Sequence, residues 1–362
     1  MTLIDTDDQR DLASSVKRFV AGQAPMSAVR KTIASDQAFD PEVWRRLSQD
    51  LGVAGLAIPE EYGGAGASWS ELVVALRELG AGLVPTPLLA TSVLATGTLL
   101  ALDDEEARRE WLPRFAEGTA IGTLAVSEGP RRESPVADSG VTVADGALTG
   151  TKTAVLNAAD ADVLLVTTAE GVFLVEKDAP GLTITPVESL DLTRGIANVS
   201  LQGTPGRLLA GDAAAAIEQV ADLANLALAT EQAAATKACL DMTTEYAKIR
   251  YSFGQPIGIY QGVKHPLADI YTDWALTDAA VRKAAESLAE GSPTASLDAA
   301  SARLLASAGY VEAAKMTMLL HGGIGFTWEH DAHLYYRNAI TGNVLLGGPT
   351  TQQDRVAEKL GV

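Results

Sequence analysis

The sequence predicts an α+β chain of three units: helices over residues 1–118, a small β-barrel or sandwich over 119–208, and a four-helix bundle over 209–362. Three observations predict this. Apolar residues recur at helical spacing as far as Gly118, the period changes to short β-branched runs near Thr119, and long alanine-rich helical patterns return from Asp212. At 362 residues the chain has enough length for a large core and for two or three units, two of which can share one body.

In the first unit, Asp7 to Val20 carries Leu12, Val16, Phe19 and Val20 at helical spacing. Asp40-Pro41 is a capping residue followed by a first-turn proline, starting a helix over Glu42 to Leu51. Ser70 to Leu79 is a third helix, and Pro87 to Leu100 and Glu105 to Leu112 supply the rest. Between them, Pro59-Glu-Glu-Tyr-Gly-Gly-Ala-Gly-Ala67 reads as a turn-rich connector. Strands are expected at Gly122–Val126, Val141–Val143, Ala147–Thr151, Val163–Thr168, Val172–Val175 and Leu182–Val187. Ala169-Glu-Gly171 reads as a hairpin loop and Ala197–Leu201 as the last strand. From Asp212 a helical pattern runs through Leu223, Leu226, Ala227 and Gln232 to Tyr246 and Arg250, and resumes from Gly258 to about Leu288. Four long helices are expected in this last unit, and Ala233-Ala-Ala235 lets them approach closely.

A net charge of -18 argues against nucleic acid or an anionic membrane surface as partner, since both need a basic face; the acidic surface is read as solubility. The single Cys239 makes neither an internal disulfide nor a thiolate cluster, and four histidines, at 265, 321, 330 and 333, leave little for a structural zinc site. His330-x-x-His333 can face one way on a helix, but no metal is expected there. The first ten residues lack a basic stretch followed by an apolar core, and no apolar run reaches the ~20 residues that span a bilayer, so the compartment is read as cytoplasm and no membrane insertion is expected.

The stretch that organises the rest is Ile249 to Asp269, a Gly/Pro-containing break between two of the longest helical patterns. It offers a fixed cation (Arg250), an aromatic face (Phe253), two glycines (Gly254, Gly258) and an amide at the start of the next helix (Gln261). Such a set suits a phosphate and a flat heterocycle, because guanidinium forks onto phosphate oxygens and helix N-termini favour anions. It also suits a plain turn in which Phe253 is core, Pro256 starts a helix and Arg250 caps the preceding one; by composition the two readings stand level.

The order of residues separates them. Arg250-x-x-Phe-Gly-x-Pro-Ile-x-x-x-Gln-x-Val-x-His-x-Leu-Ala-Asp269 resembles the acyl-CoA dehydrogenase flavoprotein family, as does His321-Gly-Gly-Ile-Gly-Phe-Thr-Trp-Glu329 with Arg337 beyond it. Ile58-Pro-Glu-Glu-Tyr-Gly-Gly64 and Leu190-Asp-Leu-Thr-Arg194 are similar to the same family, so the resemblance covers nearly the whole chain. It implies an FAD-dependent α,β-dehydrogenation of an acyl-CoA thioester, with electron-transfer flavoprotein as electron acceptor. The loop after Ile58 would lie beside flavin and acyl group, and the flavin ring would lie against the β unit. In that chemistry a carboxylate takes the α-proton while the β-hydrogen leaves as hydride to the flavin.

Against the family pattern, one usual position of the base falls on Gly347, within Leu345-Leu-Gly-Gly-Pro-Thr-Thr-Gln352, and the other falls on Ala224. Glu231, two turns along the same face, is a weak candidate about 10 Å away by helix rise. Val126-Ser127-Glu128-Gly129 keeps the hydroxyl of the family's strand end, but Pro130-Arg-Arg-Glu-Ser134 replaces its phosphate loop. In Lys152-Thr-Ala-Val-Leu-Asn157, the aromatic that covers the flavin is Ala154 and the hydroxyl beside its reactive nitrogen is Leu156. What remains is the turn at Arg250, Phe253 and Gln261, which in the family reaches across a subunit interface to the ADP end of a neighbour's flavin, together with Gly322, Gly323, Val126 and Ser127. The resemblance therefore implies a noncatalytic member of a heteromer, whose partner chain, also acyl-CoA dehydrogenase-like, carries the catalytic Glu; steroid side-chain thioesters are one substrate by analogy. Two alternatives stand beside it: a homomeric enzyme with a displaced base such as Glu231, and an inactive acyl-CoA-binding or scaffold protein.

Overall fold

The computed structural model describes residues 5–128 and 139–362; the Pro130–Ser134 stretch lies outside them. The chain starts with helices whose ends are set by local side chains. Thr6 and Gln9 form a capping box at α1 (Asp7–Gln23), α2 follows at Met26–Ile33, and Asp40 accepts from Glu42 N and Val43 N at α3 (Pro41–Gln49). Ser68 and Glu71 form a second capping box at α4 (Trp69–Ala81). The expected Pro87–Leu100 helix is a π-helical stretch, Leu89–Ala95, running into α5 (Thr96–Ala101), and α6 is Glu105–Ala116. Only α2 has no counterpart in the sequence reading, because eight residues after a proline give too little periodicity to read.

The β region is two four-stranded sheets, with no closed barrel among the described residues. One sheet runs β1 (Gly122–Ala125), β4 (Val163–Thr168), β5 (Gly171–Glu176), β8 (Arg207–Leu208); the other runs β2 (Thr142–Ala144), β3 (Ala147–Leu156), β7 (Ile196–Pro205), β6 (Leu182–Pro186). β1 and β4 pair in parallel and β4 and β5 form a hairpin in which Thr168 faces Gly171. Two expectations change here: β7 extends to Pro205 and is followed by the two-residue β8, so it is not the last strand. Lys152 on β3 ties the sheets together. Its fully buried ammonium pairs with Glu128 and donates to Val126 O (3.3 Å), Ser139 Oγ (3.1 Å) and Thr167 Oγ1 (3.0 Å).

The C-terminal region contains α7 (Ala213–Ile249), α8 (Gln261–Ala289) and α9 (Ala295–His321) as long helices. The expected fourth is broken into α10 (Ala332–Val344) and α11 (Pro349–Leu360) by a turn in which Leu346 and Gly347 take φ of +51° and +115°. Buried Arg303 on α9 holds the start of this turn, donating to Gly342 O and, at 3.2 Å, to Leu345 O. The N-terminal helices dock through α4, whose Gly80 lies so close to α7 that a Cβ there would meet Glu231 Cα at 2.7 Å.

The two glycines Gly80 and Gly22 are expected to respond oppositely to alanine. Gly80→Ala should destabilise by roughly 1–3 kcal/mol because backbone of α7 must move, whereas Gly22→Ala in α1, where a Cβ meets nothing within 4 Å, should stabilise by about 0.5 kcal/mol. Denaturant midpoints of the two variants check both signs.

Candidate functional site

The two signature motifs, one following α7 and the other ending α9, meet at one end of the bundle. Beyond Ile249 the chain folds into a hairpin of β9 (Tyr251–Ser252) and β10 (Gln255–Pro256), turned by Phe253 at φ +50° and Gly254 at +77°. Its geometry is fixed by Ile257 N donating to Arg250 O (2.8 Å) and Tyr260 hydroxyl donating to Ser252 O (2.9 Å). Phe253 is 96% exposed, which removes the reading in which it is core. Ile249 and Tyr251 are exposed beside it, and the Arg250 side chain makes no hydrogen bond or ion pair among the described residues. Gln261 is the exposed first residue of α8, at a helix start with no side-chain cap.

One turn before Arg250, the Tyr246 ring stacks on His321 with centroids 4.3 Å apart. His321 ends α9, so this contact brings Gly322 and Gly323 to the same end of the bundle as Arg250, Phe253 and Gln261. Both glycines are exposed, with Gly322 at φ +65°. Below them lies an aromatic cluster: His330 tilts against His321 at 4.3 Å, Trp328 meets His333 edge-on at 4.5 Å, and Arg337 stands 5.0 Å over Trp328. His330 precedes α10 and accepts from Ala332 N, so His330 and His333 do not share a helix face.

Val126 and Ser127 lie elsewhere. They line a cavity of about 260 Å³ between the end of β1, α7 and α11, with Ala224 and Leu346 on its wall. Ala224 and the neighbour of Gly347 thus face one space, and neither supplies a proton acceptor. The carboxylate present is Glu218, a residue the sequence reading passed over because nothing local marks its pairing. Arg355 grips it through both guanidinium nitrogens (2.9 and 3.0 Å) and also reaches Asp222 (2.6 Å). Burial works against ionisation of Glu218, but Arg355 outweighs it and holds the carboxyl below the ordinary range, which weakens it as a base. Burial pushes the Asp222 carboxyl up, against the same arginine.

Glu231 and Leu156 border a different and much smaller cavity of about 30 Å³. Glu231 is paired with Arg194, whose Nε is 3.4 Å from Asp191. Asp191 in turn accepts from Thr193 and, at 2.9 Å, from Asn338. Asp191, Thr193 and Arg194 of that motif therefore form a largely buried polar plug that occupies Glu231. Ala154 sits on β3 at φ +53°, its N donating to Asn198 Oδ1 (3.2 Å), and Leu156 is buried.

The histidine cluster gives a pH response. Burial lowers the imidazoles of His321, His330 and His333 below their ordinary value. The unfolded chain binds more protons there than the folded one, so their contribution is full above about pH 6.5 and is lost as pH falls through the depressed folded values. The thermal midpoint of His321→Phe is expected to fall less between pH 7 and 5 than that of the unaltered chain, as scanning calorimetry at both pH values would record.

Comparison with known proteins places this geometry. The acyl-CoA dehydrogenase N-terminal domain matches residues 6–119 and the C-terminal domain of the same family matches residues 210–361. Acyl-CoA dehydrogenase IpdE2 of Mycobacterium tuberculosis is 36% identical over 343 residues, 95% of this chain and 94% of that protein. The ChsE4-ChsE5 complex from the same organism is 30% identical with TM-score 0.91, covering 100% of this chain and 99% of that one. A Tcur3481-Tcur3483 steroid ACAD variant is 30% identical with TM-score 0.89, covering 98% of both. With both terminal domains matched and relatives at this identity aligned over almost the full length, the chain belongs to the acyl-CoA dehydrogenase family of flavoprotein oxidoreductases.

Proposed function

We propose that this chain is the noncatalytic subunit of a heteromeric, FAD-dependent acyl-CoA dehydrogenase: it lends its hairpin to the flavin of a partner subunit that carries the base. One observation carries this reading. The hairpin and the 260 Å³ cavity sit far apart on one helix, since Ala224 and Arg250 are separated by 26 residues, roughly 39 Å at α-helical rise. A hairpin at that distance cannot complete a site at the chain's own cavity, whereas it can complete one in a chain docked against this end.

The residues fit half of an FAD site. Exposed Arg250 and Phe253, the open Gly322-Gly323 backbone and the uncapped start of α8 suit the phosphates and a flat ring. The ring half does not fit. Leu156, buried on β3, stands where the family has a hydroxyl and supplies none. No chemical step is therefore assigned to a flavin in this chain's own β region, and the absence of a base at Gly347 and Ala224 agrees. The pairing of Glu231 with Arg194 counts against the homomeric alternative that would use it as base. The ChsE4-ChsE5 relative is a complex and the Tcur3481-Tcur3483 relative a steroid ACAD, which favours a two-chain enzyme acting on a steroid side-chain thioester. Electron-transfer flavoprotein is the proposed acceptor and the cytoplasm the proposed compartment; among the described residues no helix is long and apolar enough to cross a membrane.

Three expectations follow from this division of labour. The chain should purify alone with little flavin and gain stoichiometric flavin and activity on co-expression with a second acyl-CoA dehydrogenase-like chain bearing the Glu, measured by flavin absorbance across size-exclusion peaks. Arg250→Ala should leave the thermal midpoint of the lone chain unchanged and lower the flavin content of the pair; an active, fully flavinated homomer, or equal flavin in the mutant pair, would refute the reading. Gly347→Glu should create no dehydrogenase activity in the lone chain, because the ring contacts are missing and because φ +115° is a backbone that side chains rarely adopt. Turnover of any acyl-CoA by that purified variant would contradict this.

A further inference from the structure

Two imidazoles hold the segment that carries Gly322 and Gly323. From Gly322 to Glu329 every residue except Gly325 is exposed, and the segment rejoins the fold at His330, whose ring tilts against His321 with centroids 4.3 Å apart. Hydrogen bonds set the protonation of both rings. His321 Nδ1 lies 2.7 Å from Thr317 O, so it carries the proton and donates; its Nε2 is the bare nitrogen, buried with no partner among the described residues. His330 Nδ1 accepts from Ala332 N at 3.2 Å, so the proton of that ring is on Nε2.

A second proton is therefore unfavourable on either ring. On His321 it would place a donor at Nε2 where nothing accepts it, and on His330 it would set one N–H against another and break the bond to Ala332. With both rings charged, two cations would be in contact. The groups around the pair do not offset this. Arg30 of α2 donates to Trp328 O and to Asp331 (both 2.7 Å), Arg337 of α10 stands over the Trp328 ring, and His333 meets that ring edge-on. The positive end of α10 follows directly after His330. Of the carboxylates, Asp331 is committed to Arg30 and Glu329 is exposed, while Tyr246 of α7 brings a stacked ring with its hydroxyl 3.4 Å from His321 O. Burial lowers both imidazoles; Thr317 O opposes this at His321, where His330 adds to it, and Asp331 opposes it at His330, where Arg30 adds to it.

We propose that the His321–His330 contact is a proton-operated latch on the Gly322–Glu329 segment, closed while both rings are neutral and opened by mild acid. Under the function proposed above, the glycine backbone of this segment faces a neighbour's flavin, so opening would lower flavin retention in the pair. That consequence rests on the proposed function; the latch itself rests on the two rings and their bonds.

Hydrogen exchange of peptides spanning residues 322–331 in the full lone chain, at pH 7 and pH 5 with each rate divided by the intrinsic rate at that pH, tests the latch. Protection should fall by at least about tenfold, since a ring that regains its ordinary value near 6.5 on opening takes up a proton there, and protection within α7 should fall less. His330→Asn removes the titrating ring yet keeps an acceptor for Ala332 N, because an Asn carbonyl bonds backbone two residues on. Combined with His321→Phe, it should limit the fall to about threefold or less. Equal protection at both pH values, an equal fall within α7, or an undiminished fall in the double variant would each overturn the latch; should the double variant not fold, His330→Asn alone decides. Flavin absorbance of the co-expressed pair after gel filtration at both pH values tests the consequence, with loss expected at pH 5 in the unaltered pair and greater retention with His330→Asn. A pair whose segment opens but whose flavin stays overturns the link to the cofactor. A pair without flavin at pH 7 refutes the function proposed above, and the exchange result still decides the latch.

Discussion

The length of α7 constrains everything else in this molecule. A continuous 37-residue helix fixes the separation of its two ends as firmly as any covalent spacer, because each residue adds about 1.5 Å of rise and nothing in Ala213–Ile249 interrupts it. The cavity is built at its N-terminal half and the hairpin at its C-terminal end. Its middle is where α4 crosses at Gly80 and where Arg194 from the β region meets Glu231. The same helix thus joins the three regions and keeps their chemistry apart.

Two buried ionic groups pin the β region to this frame. Lys152 draws the end of β1 and the Glu128 carboxylate together from the second sheet, and burial lowers its ammonium while Glu128 opposes the shift. Breaking such a pair leaves a buried charge, which is far costlier than the pair is stabilising. Arg194 does the equivalent at the α7 side. Neither pair faces the 260 Å³ cavity, so the walls of that cavity are set by packing and by the Arg303-held turn before α11.

Much of this was legible in the sequence, and the reasons differ by element. Helix starts at Asp7, Pro41 and Trp69 follow from caps that act over three residues, and strands such as Val163–Thr168 follow from uninterrupted β-branched runs. The parallel pairing of β1 with β4, the break between α10 and α11, and the π-helical stretch depend on partners distant in sequence, which periodicity cannot register. The same limit applies at the site. Arg250, Phe253 and the glycine pair are marked by residue order, whereas the grip of Arg355 on Glu218 spans 137 positions.

The hairpin after α7 also bears on how quickly the chain can assemble. Its turn is closed by Gly254, its strands are paired, and Phe253 is held at a positive φ while its ring stands in solvent. The unfavourable backbone of Phe253 is thus already present in the free chain, and no loop has to order when another surface arrives. Under the proposed pairing, docking against this end would be close to a rigid-body encounter, in which orientation of two preformed faces sets the association rate.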